Sequence, residues 1–578
     1  MCGIAGFLPH PGQEIPARML AGFAQALAHR GPDGAGEFKT PHIGLTHTRL
    51  AIIDLATGEQ PILDGANALI ANGEIYNYRE LRAAYPGDYH TQSDCEPPLK
   101  IFGLQGEGYA DALRGMYAIA IHDASGCLTL TRDLFGIKPL YVAALPGGLA
   151  FASEPQALLN AGADRTPVRR KLHELLNLQF CTGTQSIFSG VQRVAPGESL
   201  RALGGRIIAR RAEPFPTPME PPKTIEAALA GLDRVLENAV DVHQRSDVPY
   251  GMFLSGGVDS AAILTMMARL NSAPVLAYTA GFDEQSVADE RDAAAATAQA
   301  AGARHERVEI SQPMVWEHLP EIVSAMDDPV ADYAIIPTWF LARRARADVK
   351  VILSGEGGDE MFAGYGRYRT AARLIAPRQM RRRGVFDGLN VLRAAPQGWR
   401  DGMAAAEALH AGGSRLRAAQ RVDMADWLPH DLLLKLDRCL MAHGVEGRTP
   451  FIDREVAAFA FSLPEVFLLR KGMGKYILRL WLERHLPQAR PFARKQGFDV
   501  PVGGWIAVRA GVLAELLNRQ PIIAELAAPD KIRALLANAG EKRAGFAAWV
   551  LLFTALWHRR HVLNLPNAGD VFQTLRET

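Results

Sequence analysis

Two rhythms of hydrophobic and polar positions run along the chain, and one gives way to the other near residue 212. In the first part, short apolar runs predict strands at Thr46–Asp54, Ala68–Ala71, Met116–Asp123, Cys127–Arg132 and Gly148–Ser153. Helical patterning is read at Ala17–Ala28. A further helix opens at Ser93-Asp94-Cys95-Glu96, with Ser93 or Asp94 placed to cap it. In the second part, strands alternate with longer helices. A helix at Ile225–Gln244 precedes a strand ending at Leu254, a helix through Ala261–Leu270 and a strand at Pro274–Gly281. An Ala-rich helix at Ala288–Ala301 and strands at His305–Ile310 and Val349–Leu353 follow. That alternation predicts an α/β fold with a parallel, doubly wound sheet, which binds ligands at the carboxyl ends of its strands.

The proline-rich stretch Ala212–Pro222 separates the two rhythms and reads as a semi-rigid connector. A chain of 578 residues is too long for one hydrophobic core. The expected division is therefore a first domain over residues 1–211, a linker over 212–223 and a second domain over 224–578.

Two strand ends in the second domain carry candidate chemistry. Leu254-Ser255-Gly256-Gly257-Val258-Asp259-Ser260 turns from a strand directly into a helix. Free N–H groups and the dipole at a helix start favour an anion, and the glycines allow close approach. Ser255 and Ser260 add hydroxyls, and Asp259 adds a carboxylate for a metal held by that anion. No lysine follows, so the loop is not the common Gly-x-x-x-x-Gly-Lys phosphate loop. The second strand end is Ser354-Gly355-Glu356-Gly357-Gly358-Asp359-Glu360. Its carboxylates would repel phosphate unless a cation intervenes. With Mg²⁺, Asp259 and Asp359 would bridge the metal to the pyrophosphate end of ATP.

Composition narrows the class of protein. A formal net charge of +1 argues against nucleic acid or an anionic membrane as the main partner. The five cysteines, Cys2, Cys95, Cys127, Cys181 and Cys439, form neither a zinc-like spacing nor a disulfide framework. No export signal is read at the N-terminus, and the apolar run Phe546–Trp557 is too short to span a bilayer. A cytoplasmic enzyme acting on small molecules is the expectation, with a homodimer compatible with it.

The first domain opens Met1-Cys2-Gly3-Ile4. Removal of Met1 would leave a Cys2 whose own α-amine, with an ordinary pKa of about 7.7–8.0, can act as base for its thiol. Downstream lie His29-Arg30-Gly31-Pro32-Asp33, Arg49 on a strand, Asn72-Gly73-Glu74-Ile75-Tyr76-Asn77 and Ser93-Asp94-Cys95-Glu96. Together they offer a nucleophile, a guanidinium fork for a carboxylate, an amide and a backbone N–H for an oxyanion, and an acid for an ammonium group. That set fits hydrolysis of the glutamine side-chain amide.

These motifs, in this order and at this spacing, resemble the class II glutamine amidotransferases. The resemblance implies a four-layer αββα N-terminal-nucleophile hydrolase fold. It also implies Cys2 as nucleophile, Asn72 and the Gly73 N–H as oxyanion hole, and Arg49, Asn72, Glu74 and Asp94 as glutamine ligands. Arg132–Tyr141 and Ser153-Glu154 also look like later signatures of that family.

The second domain resembles the ATP-pyrophosphatase fold of the glutamine-hydrolysing asparagine synthetase family. The matching runs are Ser246–Gly251, the two glycine loops, Asp328–Asp332, Met361–Tyr365, Val445–Asp453 and Gly474–Arg479. The resemblance covers roughly residues 1–370 and 430–505. It implies that Leu254, Ser255, Gly256, Gly257, Asp259, Ser260, Ser354, Gly355 and Lys475 hold ATP and pyrophosphate, with Lys475 stabilising charge on the phosphates. Glu356, Tyr365 and Arg448 are candidates for the acceptor side. The implied reaction amidates aspartate with nitrogen from glutamine, through an acyl-AMP and channelled ammonia. A related amidation of a sugar acid, polysaccharide or peptide carboxylate is the alternative. Residues 371–430, with Arg378 and Arg381-Arg382-Arg383, match nothing in the family and read as a solvated helical excursion.

Overall fold

The computed structural model describes residues 2–283, 291–373, 379–493 and 500–577. Met1, Arg378 and the first residues of the helix expected from Ala288 lie outside the described residues.

Strand alternation in the first half produces two stacked antiparallel sheets of six strands each. One has the order Gln192–Arg193, Tyr141–Leu145, Gly148–Ala152, Gly3–Pro9, Ile43–Arg49 and Gly34–Thr40. The other runs Arg206–Ala212, Glu198–Leu203, Leu128–Arg132, Gly115–His122, Asn67–Ile75 and Ile62–Asp64. Ile4 and Leu8 face the core between the sheets, as do Ala68 and Ile70. Their neighbours Ala5 and Phe7 face helix Met19–Leu27, while Leu69 and Ala71 face helix Glu96–Gln105. Each central strand is thus apolar on both faces, which is why its sequence reads as a run rather than an alternation. The outcome is the αββα arrangement.

Two local expectations are corrected. The strand expected over Thr46–Asp54 leaves the sheet after Arg49. Asp54 takes a left-handed φ of 54°, and its carboxylate accepts from the Thr57 N–H (2.8 Å), the Thr57 hydroxyl (2.6 Å) and the Gln92 N–H (2.8 Å). Those local bonds outcompete the ladder. Neither Ser93 nor Asp94 caps the following helix, whose N-cap is Cys95 without a side-chain bond. Asp94 turns instead to accept from the Ile75 N–H at 2.7 Å.

The second half is built on a five-stranded parallel sheet in the order Arg304–Ile310, Leu276–Phe282, Tyr250–Phe253, Val351–Leu353 and Glu446–Arg448. Chain order reverses between Tyr250–Phe253 and Val351–Leu353, so the crevice at their carboxyl ends lies between the two glycine loops.

Residues 379–430 are not a solvated excursion. Helices Asp401–Leu409 and Arg415–Val422 bury Met403, Leu416, Ala419 and Val422 in a core shared with the sheet's helices. Asp423–Leu432 continues as a π-helix, and the Arg381 guanidinium stacks 3.5 Å from the Trp427 ring centroid. Arg381, one of the basic residues that suggested solvent, is thus held by an aromatic face, while Arg382 and Arg383 are exposed. Beyond residue 510 the chain is largely helical, and helix Lys542–Trp557 is buried almost throughout.

The halves share cores and a buried ionic network. Arg30, fully buried, pairs with Glu154 at 2.7 Å and with Asp437 at 2.8 Å. Arg438 reaches Glu154 at 3.1 Å and Asp327 at 3.0 Å, and Arg193 binds Asp328 at 2.6 Å. Pairs as buried as these contribute more to a single docking geometry than to net stability. Among the described residues, no helix is long and apolar enough to cross a membrane.

Candidate active sites

The first site assembles at the ends of two neighbouring strands. The Cys2 N–H donates to Asn72 Oδ1 at 3.1 Å, and Thr48 pairs with Gly3, which brings Arg49 alongside. With its oxygen held by Cys2, the Asn72 amide leaves its buried Nδ2 without a hydrogen-bond partner among the described residues. That is the donor an oxyanion beside the Cys2 thiol needs. Gly73 is required sterically, since a Cβ there would lie 2.0 Å from the Met116 carbonyl oxygen.

Glu74 and Asp94 are both buried, with Glu74 close enough to the Cys2 thiol to raise it and Asp94 close enough to Glu74 to raise that carboxyl. Burial, with Glu446 adding repulsion, pushes the Asp94 carboxyl up to about 6. Burial is also the main cause that raises the Cys2 thiol, and a Leu50 N–H bond opposes it. Arg49, half-buried, donates to the Asp54 carbonyl. The structure therefore gathers Cys2, Asn72, Gly73, Glu74 and Asp94, with Arg49 at the rim.

The second site is a cleft of about 870 Å³ lined by Gly256, Gly257, Asp259, Asp359, Gly364 and Lys475, with Arg479 and the Arg490 stretch at its edge. Helix Val258–Leu270 starts here with Gly257 as N-cap and no capping side chain among the described residues, so the positive end of its dipole faces the cleft. Ser255 and Ser260 do not both point outward. Ser260 Oγ accepts from the Ser255 N–H at 3.1 Å and lies 3.0 Å from Ser255 Oγ, bracing the turn from inside. The loops touch: a Cβ at Gly355 would lie 2.8 Å from the Ser260 nitrogen, and one at Gly358 would lie 2.4 Å from Asp259 Oδ1.

Lys475 bridges the two aspartates. Its ammonium lies 2.7 Å from Asp359 Oδ1 and also binds Asp259 Oδ2. It takes a left-handed φ of 57° at the start of helix Tyr476–His485. Gly364 packs against the pair, where a Cβ would meet Asp359 Oδ1 at 1.9 Å and Lys475 Cε at 2.1 Å. Two carboxylates converging on one cation, beside an anion-ready helix start, form the hard oxygen donor set that suits Mg²⁺ shared with phosphates. The residues fit the metal, with Lys475 as its neighbour.

Of the residues expected on the acceptor side, Glu356 is raised first by burial, with Lys435 opposing. The Tyr365 hydroxyl donates to Glu360 at 2.8 Å, and Arg367 stacks 3.8 Å over Tyr365. Burial and then Asp359 push the Glu360 carboxyl up to about 8. Arg448 is not among them. Its backbone carbonyl accepts from the Ser354 N–H at 2.8 Å, but its side chain runs the other way, to Glu446 and Glu74. Sequence reasoning missed Glu360, Arg367 and the Lys435–Asp332 pair at 2.7 Å. Asp431 and Lys435, one helical turn apart just before the Val445–Asp453 run, were the signal that could have found the last.

Comparison with known proteins agrees with this division of chemistry. A glutamine amidotransferase domain profile matches residues 1–211, and the asparagine synthase profile matches residues 231–559. The chain belongs to the glutamine-hydrolysing asparagine synthetase family. It is an ATP-dependent ligase of the glutamine amidotransferase type. A putative asparagine synthetase of Mycobacterium tuberculosis H37Rv is 34% identical over 96% of this chain and 97% of its own. Asparagine synthetase 1 of Bacillus subtilis is 31% identical over 96% of both chains. Over 64% of this chain and 60% of its own, the Penicillium rubens protein named amidase chyE is 31% identical. Among solved structures, the Bacillus subtilis glutamine phosphoribosylpyrophosphate amidotransferase matches at 17% identity and a TM-score of 0.28, over 53% of this chain and 65% of its own.

Proposed function

We propose that this synthetase-family chain converts aspartate, glutamine and ATP into asparagine, glutamate, AMP and pyrophosphate. Residues 1–211 form the glutaminase half and 224–578 the synthetase half, joined by 212–223. The observation that carries the reading is the crevice at the sheet's reversal point, where Lys475 meets Asp259 and Asp359 beside an uncapped helix start. Such a site holds the pyrophosphate end of ATP while an acceptor carboxylate oxygen attacks the α-phosphorus. A carboxylate has no usable leaving group for amidation, and the acyl-AMP supplies one.

In the glutaminase half, the Cys2 thiolate attacks the glutamine Cδ carbonyl. The Asn72 Nδ2 and the Gly73 N–H receive the oxyanion, ammonia leaves, and water releases glutamate from the thioester. Arg49 holds the glutamine carboxylate, and Glu74 and Asp94 hold its ammonium group. Ammonia then crosses the buried interface and displaces AMP from the acyl carbon. It crosses as neutral NH₃, since an unpaired buried cation is costly. In the synthetase half, Ser255, Gly256, Gly257 and the first turn of the following helix cradle the phosphates, and Ser260 braces them. Ser354 and Gly355 face them from the second loop. Asp259 and Asp359 would hold Mg²⁺, which when bound neutralises phosphate charge. Glu356 and Tyr365 border the acceptor.

Aspartate as acceptor is supported by relatives that share nearly the full length, among them one named putative asparagine synthetase and one named asparagine synthetase 1. A different carboxylate is the second reading. It is favoured by the cleft of about 640 Å³ that Arg367, Arg381, Arg382 and Arg383 line beside Tyr365. Pyrophosphate release across a panel of carboxylates separates the two. Aspartate should be turned over fastest; an inert aspartate beside an active sugar acid or peptide would replace the first reading by the second.

A further inference from the structure

Arg448 belongs to the synthetase sheet by its backbone and to the glutaminase site by its side chain. The guanidinium is fully buried. Nε donates to Glu446 Oε1 at 2.5 Å, and Nη1 donates to the carbonyls of His243 (2.9 Å) and Arg245 (2.7 Å). These carbonyls lie at the end of helix Ile225–His243, whose dipole favours a cation there. Nη2 lies 3.3 Å from Glu74 Oε2. Among the described residues neither Nη2 nor Glu74 Oε2 has a hydrogen-bond partner, although both are buried. They face each other close enough for charge attraction but out of line for a full bond, so the Glu74 oxygen retains capacity for another donor.

We propose that Arg448 is a positioning residue for glutamine: it holds the Glu74 carboxylate in place to receive the glutamine ammonium group. Recognition in the first half is thereby tied to the strand whose Arg448 carbonyl fixes Ser354 in the second. The inference rests on the reading of Glu74 as a glutamine ligand.

Electrostatics point the same way. Glu74 faces Glu446 from the synthetase strand, Asp94 and Cys95 from the loop before helix Glu96–Gln105, Tyr76 from its own segment, and Cys2. Burial, then Glu446, then Asp94 raise its carboxyl, and Arg448 is the side-chain cation that opposes them. Without Arg448 the group would take up a proton and lose its hold on an ammonium ion. Charge at Glu74 is needed, so the acid limb of glutamine turnover would move to higher pH. Side-chain replacement at Arg448 leaves its carbonyl bond to Ser354 in place, so the loss should be specific to glutamine.

The test uses the full chain with Arg448→Met, Arg448→Lys, Glu446→Gln and Glu74→Gln. Arg448→Met should raise the glutamine KM by about tenfold or more, the equivalent of one pKa unit of lost attraction, and shift the acid limb of kcat/KM upward. Arg448→Lys should recover part of both. Pyrophosphate release with added ammonia should stay within about twofold of the parent enzyme. Glu446→Gln, which removes repulsion while keeping an acceptor for Nε, should move the acid limb downward. It serves as the readout if Arg448→Met does not fold. An unchanged glutamine KM and acid limb in Arg448→Met, equal losses with ammonia and glutamine, or an upward or absent shift in Glu446→Gln would each overturn the inference. Glu74→Gln separates the two levels. If it leaves the glutamine KM unchanged, the reading of Glu74 as a ligand is what fails; if it raises KM while Arg448→Met does not, only the role of Arg448 fails.

Discussion

The Lys475 ammonium sits 2.7 Å from Asp359 Oδ1, across more than a hundred residues of chain. Burial would lower its pKa, but Asp259 and then Asp359 outweigh that and raise it, so the cation is permanent at neutral pH. Lys475→Met should reduce pyrophosphate release by on the order of a hundredfold with either nitrogen source. A loss confined to glutamine-dependent turnover would contradict that placement.

Gly364→Ala tests the same bridge without removing charge. The added Cβ would lie 1.9 Å from Asp359 Oδ1 and 2.1 Å from Lys475 Cε, so the pair must separate. Equilibrium binding of ATP, followed by calorimetry, should weaken by about tenfold or more. Unchanged affinity would show that the bridge has room to shift.

Replacing Asp259 or Asp359 by alanine should stop pyrophosphate release whether glutamine or ammonia is supplied. Each variant leaves Lys475 with a single aspartate and the cleft with one oxygen donor fewer. Synthesis surviving with ammonia in either variant would remove that residue from the nucleotide site.

Cys2→Ala should abolish glutaminase activity and glutamine-dependent synthesis while sparing synthesis from added ammonia. Loss of both nitrogen sources would contradict the separation of the two sites.

Asp431 predicts a pH dependence of stability. Its carboxyl is fully buried, neither oxygen has a hydrogen-bond partner among the described residues, and burial followed by Asp332 pushes it up to about 8. The folded state therefore keeps a proton that the unfolded chain releases near pH 4. Stability from this group is greatest below pH 4 and falls as pH rises toward 8, by roughly 1.4 kcal/mol per unit at most. Asp431→Asn, which mimics the protonated form, should flatten that slope in urea melts between pH 4 and 9 and leave stability at pH 4 nearly unchanged. Parallel slopes for the two proteins would show that Asp431 ionises freely in the fold.

Much of this was legible in the sequence because the chemistry sits on local turns. Ser255–Ser260 and Ser354–Glu360 each follow an apolar strand directly, and a strand–turn–helix pattern places them without knowledge of the rest. The αββα half was readable for a related reason: Ala68–Ala71 is apolar on both sides of the strand, which demands cover on both faces. Long-range geometry was hidden. Nothing in the order Glu446-Gly447-Arg448 says that the arginine points away from its own loop and into the other half. The basic, alanine-rich character of residues 379–430 was misleading because arginine buries well on aromatic faces, as Arg381 does on Trp427. The π-helix over Asp423–Leu432 has a period that amphipathic patterning does not register.

The pairing of Arg30 with Asp437 has a consequence for how the protein is made. The two residues are 407 positions apart, and Arg30 is fully buried in the finished fold. At about 5–20 residues per second, a ribosome needs roughly 20–80 s to deliver Asp437 after Arg30. Through that interval the early chain offers Arg30 the Cys2 carbonyl and the Glu154 carboxylate. The first domain therefore emerges with both bonds from Arg30 to Asp437 unmade, and its nucleophile end cannot take its final setting until late in synthesis. A nascent chain stalled after residue 211 should be more open to protease around His29–Asp33 than the released protein.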